Sequence, residues 1–440
     1  MNFFIVLIIK ILCFVLKILG KNGGNLPGKI AYKWSPNIFK YFKINCPVIA
    51  VTGTNGKTMT NNCIVRILED DGKKVISNLE GNNMETGILS ILIKKCSLTG
   101  KIKADYLVFE TDEGYVPVVY KELKLDCLVV LNFFRDQLDR SGEVESLILK
   151  INDFLKTYDK NLILNNDDPN VARLGKANPD NKNVYYFSVD RYKYATDELK
   201  EAGEGKFCPF CSSKLKYDYY QYAHVGKFVC PKCDYGNNEI FNLIKNVDLE
   251  KKSFEIGDNT YLTNFNSIYS TYNFAAATSV AKLYESDLIS MKQTLEKFIL
   301  NNGRLEKMDI GGNETIVNIA KNPTGANVSL RLVNEDNANK EILFVLNDNI
   351  ADGKDVSWIW DINFENLNNV DRIITSGTRA YDIAIRIKTS GFPIDKIEVY
   401  TDIYEAIEHL YKNSGKKYVI TNYTATQPTR QKLIRYGDKK

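Results

Sequence analysis

One stretch of sequence decides the fold: Val48-Ile49-Ala50-Val51-Thr52-Gly53-Thr54-Asn55-Gly56-Lys57-Thr58. Its apolar beginning predicts a buried strand, and Gly53 and Gly56 allow the backbone N–H groups of the following turn to point inward. A helix is expected to begin near Thr58, so that its positive N-terminal end faces the same pocket. Lys57 offers a charge for the β- and γ-phosphates, and the Thr58 hydroxyl suits Mg²⁺. The stretch therefore predicts a phosphate-binding loop for a nucleoside triphosphate.

Length and composition indicate an ordinary globular protein of more than one domain. The chain has 440 residues, of which 44% are hydrophobic and 25% are charged, so two or three domains with large cores are expected. A net charge of +4 is too small to indicate a nucleic-acid partner. Strand-like runs alternate with helix-like segments, which predicts an α/β fold with parallel sheets and ligands at the carboxyl ends of the strands.

Four of the nine cysteines form two C-x-x-C pairs that are separated by 18 residues. This spacing is typical of a zinc ribbon, in which two turns direct four thiolates at one tetrahedral ion. Four thiolates fill the coordination shell, so the predicted zinc is structural. Two disulfides are the alternative, but nothing else in the sequence indicates an oxidising compartment. The predicted ligands are Cys208, Cys211, Cys230 and Cys233, in an insert at about residues 204–237.

The other five cysteines lie in apolar contexts, and we expect them to be buried free thiols. They are Cys13, Cys46, Cys63, Cys96 and Cys127. Of the two histidines in the chain, His224 lies inside the predicted ribbon and is expected at the protein surface.

An apolar segment near the start of the chain is a candidate for membrane contact. Phe3 to Leu19 spans 17 residues that are apolar except for Lys10 and Lys17, which is short for a transmembrane helix. Together with Lys21, these lysines fall on one side of a helix, as expected for a helix that lies in the membrane interface. The alternative is a helix that packs on the protein's own core.

Six short motifs, in order along the chain, resemble those of the Mur ligase family, which includes the folylpolyglutamate synthetases. These enzymes use ATP to convert a carboxylate into an acyl phosphate, which an amine then attacks. The resemblance implies a Mur ligase-like ATP-binding domain at residues 45–303, preceded by a helix and linker at 1–44 and followed by an α/β domain at 304–440. The motifs are Thr52–Thr58, Val108–Glu110, Leu131–Arg140, Asn165–Pro169, Tyr272–Ala277 and Gly303–Glu306.

The resemblance also implies which residues form the ATP site. Lys57 and Glu110 are expected to be catalytic, and Thr58 and Glu110 are expected to hold Mg²⁺. ATP is expected to contact the phosphate loop and three residues that come later in the chain. The expected ATP-binding residues are Thr54, Asn55, Gly56, Lys57, Thr58, Asn132, Asn273 and Arg304.

The position of the ribbon in the chain limits the resemblance to one group within the Mur ligase family. A ribbon inside the ATP-binding domain, followed by Asn318–Pro323 and Ala351–Trp358, is similar to Mur ligase-like proteins that form a heterodimer with a GatD-like class I glutamine amidotransferase. This implies amidation of the D-glutamate α-carboxylate in the stem peptide of lipid II, in the cytoplasm and at the inner face of the membrane. The partner's Cys–His pair needs a third group to orient it. The resemblance implies that this chain lends that group, a carboxylate, to its partner across the interface, with Asp355 at the matching position and Asp352 as the second choice.

Two other functions stay open on the sequence. A stand-alone ligase of the folylpolyglutamate type would add an amino acid instead of ammonia, although it would need neither the ribbon nor the loop at Ala351–Trp358. A non-catalytic adaptor would keep the nucleotide-binding fold without turnover, although Lys57, Thr58 and Glu110 are all present. The sequence also leaves open whether the substrate is lipid-linked or a soluble precursor.

Overall fold

The computed structural model of the chain describes residues 2–20, 23–79, 82–135, 144–199, 204–299, 305–365 and 367–438. The chain forms two compact units. The first unit consists of residues 1–133, 145–199 and 203–298, and the second consists mainly of residues 299–440. Each unit is organised around its own β-sheet.

The first unit contains eleven strands in its described part. They are β1 (Val48–Thr52), β2 (Val75–Ser77), β3 (Tyr106–Glu110), β4 (Cys127–Val130), β5 (Asn161–Asn165), β6 (Val184–Val189), β7 (Lys216–Tyr222), β8 (Val225–Val229), β9 (Ile240–Asp248), β10 (Ser253–Ile256) and β11 (Asn259–Leu262). Nine of them form one sheet in the order β11-β10-β9-β6-β5-β4-β1-β3-β2. Pairing is parallel from β2 through β9, and β10 and β11 add an antiparallel edge.

The helices of the same unit connect these strands. They are α1 (Asn2–Ile18), α2 (Leu26–Trp34), α3 (Lys57–Asp70), α4 (Glu85–Lys95), α5 (Val116–Tyr120), α6 (Val144–Leu155), α7 (Pro169–Ala172), α8 (Ile268–Leu283) and α9 (Leu288–Lys297). Short 3₁₀ turns lie at Ile38–Tyr41, Glu113–Tyr115 and Arg173–Lys176.

The centre of this sheet places several loops side by side. Strands β1 and β4 are buried along their whole length, as expected for parallel strands that are covered on both faces. Strand β1 pairs with β3 on one side and with β4 on the other. Because parallel strands end at the same edge of a sheet, the segments that follow β1, β3, β4 and β5 are neighbours.

The hairpin formed by β7 and β8 carries His224 at its turn, and this histidine is buried, with 1% of its surface exposed. The prediction of a surface position is therefore wrong. The hairpin turns back onto the segment that follows β5, where Gly226 N donates to the Asp167 carbonyl at 2.9 Å. His224 Nε2 thereby comes to lie 3.3 Å from Asp168 Oδ1. This long-range contact could not be predicted from the local sequence.

Helix α1 packs on the protein through one face only. Ile5, Val6 and Ile9 are buried, and α1 contacts α2 and α4. Helix α2 in turn crosses α4 closely at Gly28, where an added Cβ would lie 1.9 Å from the Thr86 carbonyl oxygen. Of the two arrangements that the sequence left open for this helix, packing on the protein's own core is therefore observed for one face of α1. Of the five cysteines predicted to be buried, four are buried, and Cys13 on α1 is half-buried.

The second unit is a parallel-rich α/β domain. Its strands are β12 (Glu306–Ile310), β13 (Asn313–Ile319), β14 (Lys340–Val345), β15 (Val370–Ser376), β16 (Ile397–Val399) and β17 (Lys416–Thr421). Its helices are α10 (Pro323–Glu335), α11 (Ala380–Thr389), α12 (Ile403–Leu410) and α13 (Tyr423–Gly437), with 3₁₀ turns at Ser357–Asp361 and Ile394–Lys396. The sheet order is β12-β13-β17-β14-β15-β16, and only β12 pairs antiparallel.

Candidate active site

The loop between β1 and α3 has the backbone conformation of a phosphate-binding loop. Gly53 and Gly56 adopt positive φ values of 130° and 89°, which residues with a side chain rarely adopt. A Cβ atom on Gly56 would also lie 2.1 Å from Asn273 Oδ1, so a larger residue would not fit. Helix α3 begins at Lys57, and its first N–H groups therefore point toward the loop.

Asn132, which follows β4, holds this loop in place. Its Oδ1 accepts a hydrogen bond from Asn55 N at 2.9 Å, and its Nδ2 donates to Asn55 O at 3.0 Å. Its backbone carbonyl accepts from Thr54 N at 2.9 Å. Because these bonds occupy the amide of Asn132, the side chain contributes to the site by fixing the loop backbone. Direct contact between Asn132 and ATP stays a prediction.

Lys57 is buried and ion-paired at the start of α3. Its Nζ lies 2.5 Å from the Gly53 carbonyl oxygen and 3.1 Å from Glu113 Oε2. Burial disfavours the charged form, but the carboxylates of Glu113, Asp112 and Glu110 outweigh it and raise the pKa of Lys57 above its ordinary value. The lysine is therefore charged and already directed into the loop.

Glu113 was missed on the sequence. It lies in the 3₁₀ turn just after β3 and is buried, with 6% of its surface exposed. The signal that could have revealed it is the run Glu110-Thr111-Asp112-Glu113, which puts three carboxylates at the carboxyl end of a strand beside β1.

Thr58 and Glu110 are brought together as the sequence suggested. The Thr58 hydroxyl donates to Glu110 Oε2 at 2.7 Å, although the two residues are 52 positions apart. Glu110 is buried, and Asn78 holds its backbone by donating from Nδ2 to the Glu110 carbonyl at 2.8 Å. Hydroxyl and carboxylate oxygens are the ligands that Mg²⁺ prefers, so this donor set fits the ion.

The other expected nucleotide contacts are only partly described. Asn273 lies on α8, where its Oδ1 faces Gly56 and its Nδ2 lies 3.3 Å from Met59 Sδ. Arg304 lies outside the described residues, as do residues 136–140 of the Leu131–Arg140 motif. Their expected roles stay predictions.

The Asn165–Pro169 motif connects the strand ends around the loop. Asp168 Oδ2 accepts from Phe133 N at 2.9 Å, just after the strand β4. Asp167 accepts from the Tyr272 hydroxyl of α8 at 2.6 Å and from Ser188 Oγ at 2.6 Å. Burial raises the pKa of Asp167 to about 6 in spite of these hydrogen bonds. The Asn165–Pro169 turn therefore connects the segment after β4, strand β6 and helix α8, which lie around the phosphate loop.

The four cysteines of the insert converge on one point. Their sulfur atoms all lie within 4.8 Å of one another. The Sγ atoms of Cys208 and Cys233 are 3.6 Å apart, those of Cys211 and Cys230 are 3.4 Å apart, and those of Cys211 and Cys233 are 3.9 Å apart. Four sulfurs at the usual Zn–S length form a tetrahedron with edges of about 3.8 Å. The cluster is therefore compatible with a zinc ribbon.

In the second unit, the structure separates the two aspartates that the sequence left as alternatives. Asp352 is buried and accepts hydrogen bonds from the backbone N (2.8 Å) and the hydroxyl of Thr424, at the start of α13. Asp355 is half-buried, and its Oδ1 accepts from Ser357 N at 2.8 Å. The hydrogen bonds from Ser357 lower the pKa of Asp355 below its ordinary value.

Asp355 lies in the wall of a surface cavity of about 350 Å³. Residues Ser357, Trp360, Arg379 and Ile385 also line this cavity. Asp355 thus presents an ionised carboxylate to an open space, whereas the carboxylate of Asp352 is occupied within the domain. Of the two aspartates, Asp355 is therefore the one that lines the cavity.

Two parts of the chain match known families. Residues 51–230 match the Mur ligase middle domain, and residues 319–426 match the MurT ligase C-terminal domain. The fold resembles a pseudomurein peptide ligase type C from Methanothermus fervidus, with a TM-score of 0.71 at 21% identity over 91% of this chain and 80% of that chain. It also resembles the MurF ligase from Thermotoga maritima in complex with ADP, with a TM-score of 0.61 at 16% identity over 93% of this chain and 84% of that chain. The architecture is that of the Mur ligases, and the predicted α/β fold is confirmed.

The sequence relatives define the branch of the family. The MurT subunit of lipid II isoglutaminyl synthase (glutamine-hydrolysing) from Staphylococcus aureus strain COL is 33% identical over 420 residues, which cover 94% of both chains. The subunit of the same name from Streptococcus pneumoniae strain R6 is 32% identical over 428 residues, covering 96% of this chain and 94% of that one. This chain belongs to the MurT family.

Proposed function

We propose that this chain is the ligase subunit of a lipid II isoglutaminyl synthase. It uses ATP to amidate the α-carboxylate of D-glutamate in the stem peptide of lipid II, and a GatD-like glutamine amidotransferase supplies the ammonia. The observation that carries this proposal is the arrangement of Lys57, Thr58 and Glu110 around a glycine-shaped phosphate loop. An inert adaptor would have no need for a buried lysine that is held in its charged state.

The reaction proceeds in two displacements. An oxygen of the substrate carboxylate attacks the γ-phosphorus of ATP, the bond from that phosphorus to the β–γ bridging oxygen breaks, and ADP leaves. The nitrogen of ammonia then attacks the acyl carbon, the bond to the phosphate oxygen breaks, and inorganic phosphate leaves as the nitrogen loses a proton. The product is the primary amide of D-isoglutamine.

The residues of the loop bind and orient the triphosphate. Backbone N–H groups at the start of α3 would bind the phosphates, and Lys57 would offset the charge that develops on the transferring phosphoryl group. Thr58 and Glu110 would hold Mg²⁺, which when bound neutralises charge on the β- and γ-phosphate oxygens. Glu113 keeps Lys57 charged and Asn132 keeps the loop backbone in its shape.

The second unit would bind the amidotransferase. The cavity beside Asp355 is lined by two exposed apolar side chains, those of Trp360 and Ile385, each with 54% of its surface exposed. A cluster of exposed aromatic and aliphatic residues around a charged group is typical of a protein interface. We place the Cys–His pair of the partner against this cavity, where Asp355 would orient the histidine and stabilise its charge.

We assign the cysteine cluster to structural zinc, because its sulfur distances fit a closed tetrahedral shell. The prediction is that purified protein contains about one zinc per chain and that Cys211→Ser lowers both the zinc content and the unfolding temperature. Metal analysis and thermal unfolding would measure the two effects. Cys13→Ser, on α1 and outside the cluster, is the control and should keep its zinc. Protein that folds fully after zinc has been removed with a chelator would contradict this assignment.

The reaction is proposed to take place in the cytoplasm, at the inner face of the cell membrane. The names of the relatives specify lipid II, a lipid-linked substrate. An enzyme that acts on a membrane-anchored molecule must reach its headgroup at the membrane surface.

Purified protein, combined with a glutamine amidotransferase partner, tests the function directly. We expect ADP release that requires both lipid II and a nitrogen source, either glutamine with the partner or ammonium alone. Mass spectrometry should show the conversion of one carboxylic acid of the stem peptide to a primary amide. Incorporation of glutamate instead of ammonia would contradict the proposal and support a folylpolyglutamate-type ligase. A chain that binds ATP without any turnover would support an adaptor.

A further inference from the structure

The outer face of α1 is an apolar surface that the described part of the protein leaves uncovered. Ile5, Val6 and Ile9 face the protein, whereas the opposite side of the helix is exposed. Among the exposed residues, Phe4, Phe14 and Ile18 have 64%, 65% and 70% of their surfaces in contact with solvent. We call this surface the α1 outer face, and it consists of Phe3, Phe4, Ile8, Ile11, Phe14, Val15 and Ile18.

The spacing of these residues shows that the outer face is a continuous stripe. Positions 4, 8, 11, 15 and 18 are separated by three or four residues, so they lie in one line along a helix. Lys17 is exposed beside these residues, whereas the Lys10 ammonium donates to the Lys94 carbonyl oxygen of α4 at 3.2 Å. Contiguous exposed apolar stripes of this kind mark interaction surfaces on proteins.

The charge of the surrounding sequence indicates what covers this stripe. The first 47 residues contain no aspartate or glutamate, and the first acidic residue of the chain is Glu69. The same 47 residues contain seven lysines, at positions 10, 17, 21, 29, 33, 40 and 43. A segment that carries only positive charges and has an apolar face is complementary to an anionic bilayer, whose headgroups are negatively charged and whose acyl chains are apolar.

Of the described helices, none is long and apolar enough to cross a membrane. Helix α1 has 17 residues, and its inner side is already occupied by contacts with α2 and α4. The remaining arrangement is one in which the helix axis lies along the membrane surface and only the outer face enters the acyl region.

We propose that the α1 outer face docks on a bilayer that contains anionic phospholipids, with Lys17 at the level of the headgroups. A second copy of this chain is a poorer occupant. A symmetric dimer through α1 would bring the same lysine-rich segment of both copies together, and like charges at an interface are unfavourable. The inference stands on α1 and its surroundings, so it is independent of the proposed ligase activity.

The test is binding of the full chain to vesicles by flotation. We expect binding to vesicles of phosphatidylglycerol and phosphatidylcholine in equal parts, and much weaker binding to pure phosphatidylcholine. Phe4→Ser/Phe14→Ser/Ile18→Ser should lower the partition coefficient by about a thousandfold, because each large apolar side chain contributes about tenfold. Lys17→Gln should lower binding to the anionic vesicles by about fivefold, and salt should weaken the wild type.

Matched controls lie elsewhere on the same unit. Val118→Ser/Leu149→Ser removes two apolar side chains that are 45% and 57% exposed, and Lys73→Gln removes an exposed lysine. Both controls should bind vesicles as the wild type does. The salt dependence of vesicle binding is measured on the wild type, so this part of the test does not depend on whether a variant folds.

Three results would overturn the proposal. The wild type could fail to bind the anionic vesicles, or the triple variant could bind as well as the wild type. Light scattering could instead show a wild-type dimer that the triple variant converts to a monomer, without vesicle binding by either protein. In that case the outer face would bind a second copy of this chain.

Discussion

Lys57→Ala is expected to lower ATP turnover and amidation by about 10³-fold or more, because the lysine acts on charge that develops during phosphoryl transfer. Its Nζ is already directed into the loop, 2.5 Å from the Gly53 carbonyl oxygen. The measurement is ADP release with lipid II and ammonium, which needs no partner. The complex with the amidotransferase should still form, as judged by size-exclusion chromatography, since Lys57 lies in the first unit and Asp355 lies in the second.

A loss of stability must be separated from a loss of chemistry in this experiment. Lys57→Ala leaves the buried carboxylate of Glu113 without its partner, which costs about 3–5 kcal/mol in comparable buried pairs. Lys57→Ala/Glu113→Gln removes that charge and should recover stability without recovering turnover. Lys73→Ala, at an exposed position, is the control for the loss of a lysine. Substantial turnover by the double variant would show that the phosphate site has been misplaced.

Asp355→Asn is expected to cripple glutamine hydrolysis by the complex while leaving the ATP site intact. Loss of the carboxylate of a catalytic triad costs about 10⁴-fold in serine proteases, and a smaller loss is expected here because a thiol ionises more readily than a hydroxyl. Added ammonium should restore amidation, because it bypasses the amidotransferase. Comparing glutamine-dependent with ammonium-dependent amidation measures the effect on each half of the reaction.

Asp352→Asn is expected to affect stability and not glutamine hydrolysis selectively. Asp352 accepts two hydrogen bonds from Thr424, so its replacement should lower the unfolding temperature and affect both nitrogen sources alike. Asp395→Asn, at an exposed site in the same unit, should change neither activity nor stability. If glutaminase activity survives Asp355→Asn and is lost selectively with Asp352→Asn, the assignments are reversed. If neither variant affects glutaminase activity, the loop does not complete a triad.

Local sequence patterns were sufficient for the fold class and for the parts of the site that are close in the chain. The strand, glycine turn and helix of residues 48–58 are adjacent, so their physical requirements appear as one readable pattern. The two C-x-x-C pairs likewise record the geometry of two tight turns. The resemblance to the Mur ligases added Glu110 and Asn132, whose positions at strand ends agree with a parallel sheet. The boundaries at 44 and 303 and the nucleotide contacts of Asn273 and Arg304 stay predictions.

The sequence by itself therefore determined the Mur ligase architecture, the phosphate loop and the four-cysteine cluster. Only the tertiary structure paired Lys57 with Glu113, placed the Asn132 amide on the loop backbone and buried His224 against Asp168. It also decided which face of α1 is exposed and which of Asp352 and Asp355 faces the surface cavity. The physical reason is that each of the three paired contacts joins residues 56 or more positions apart. Such contacts depend on which strand ends become neighbours, and no local pattern encodes that.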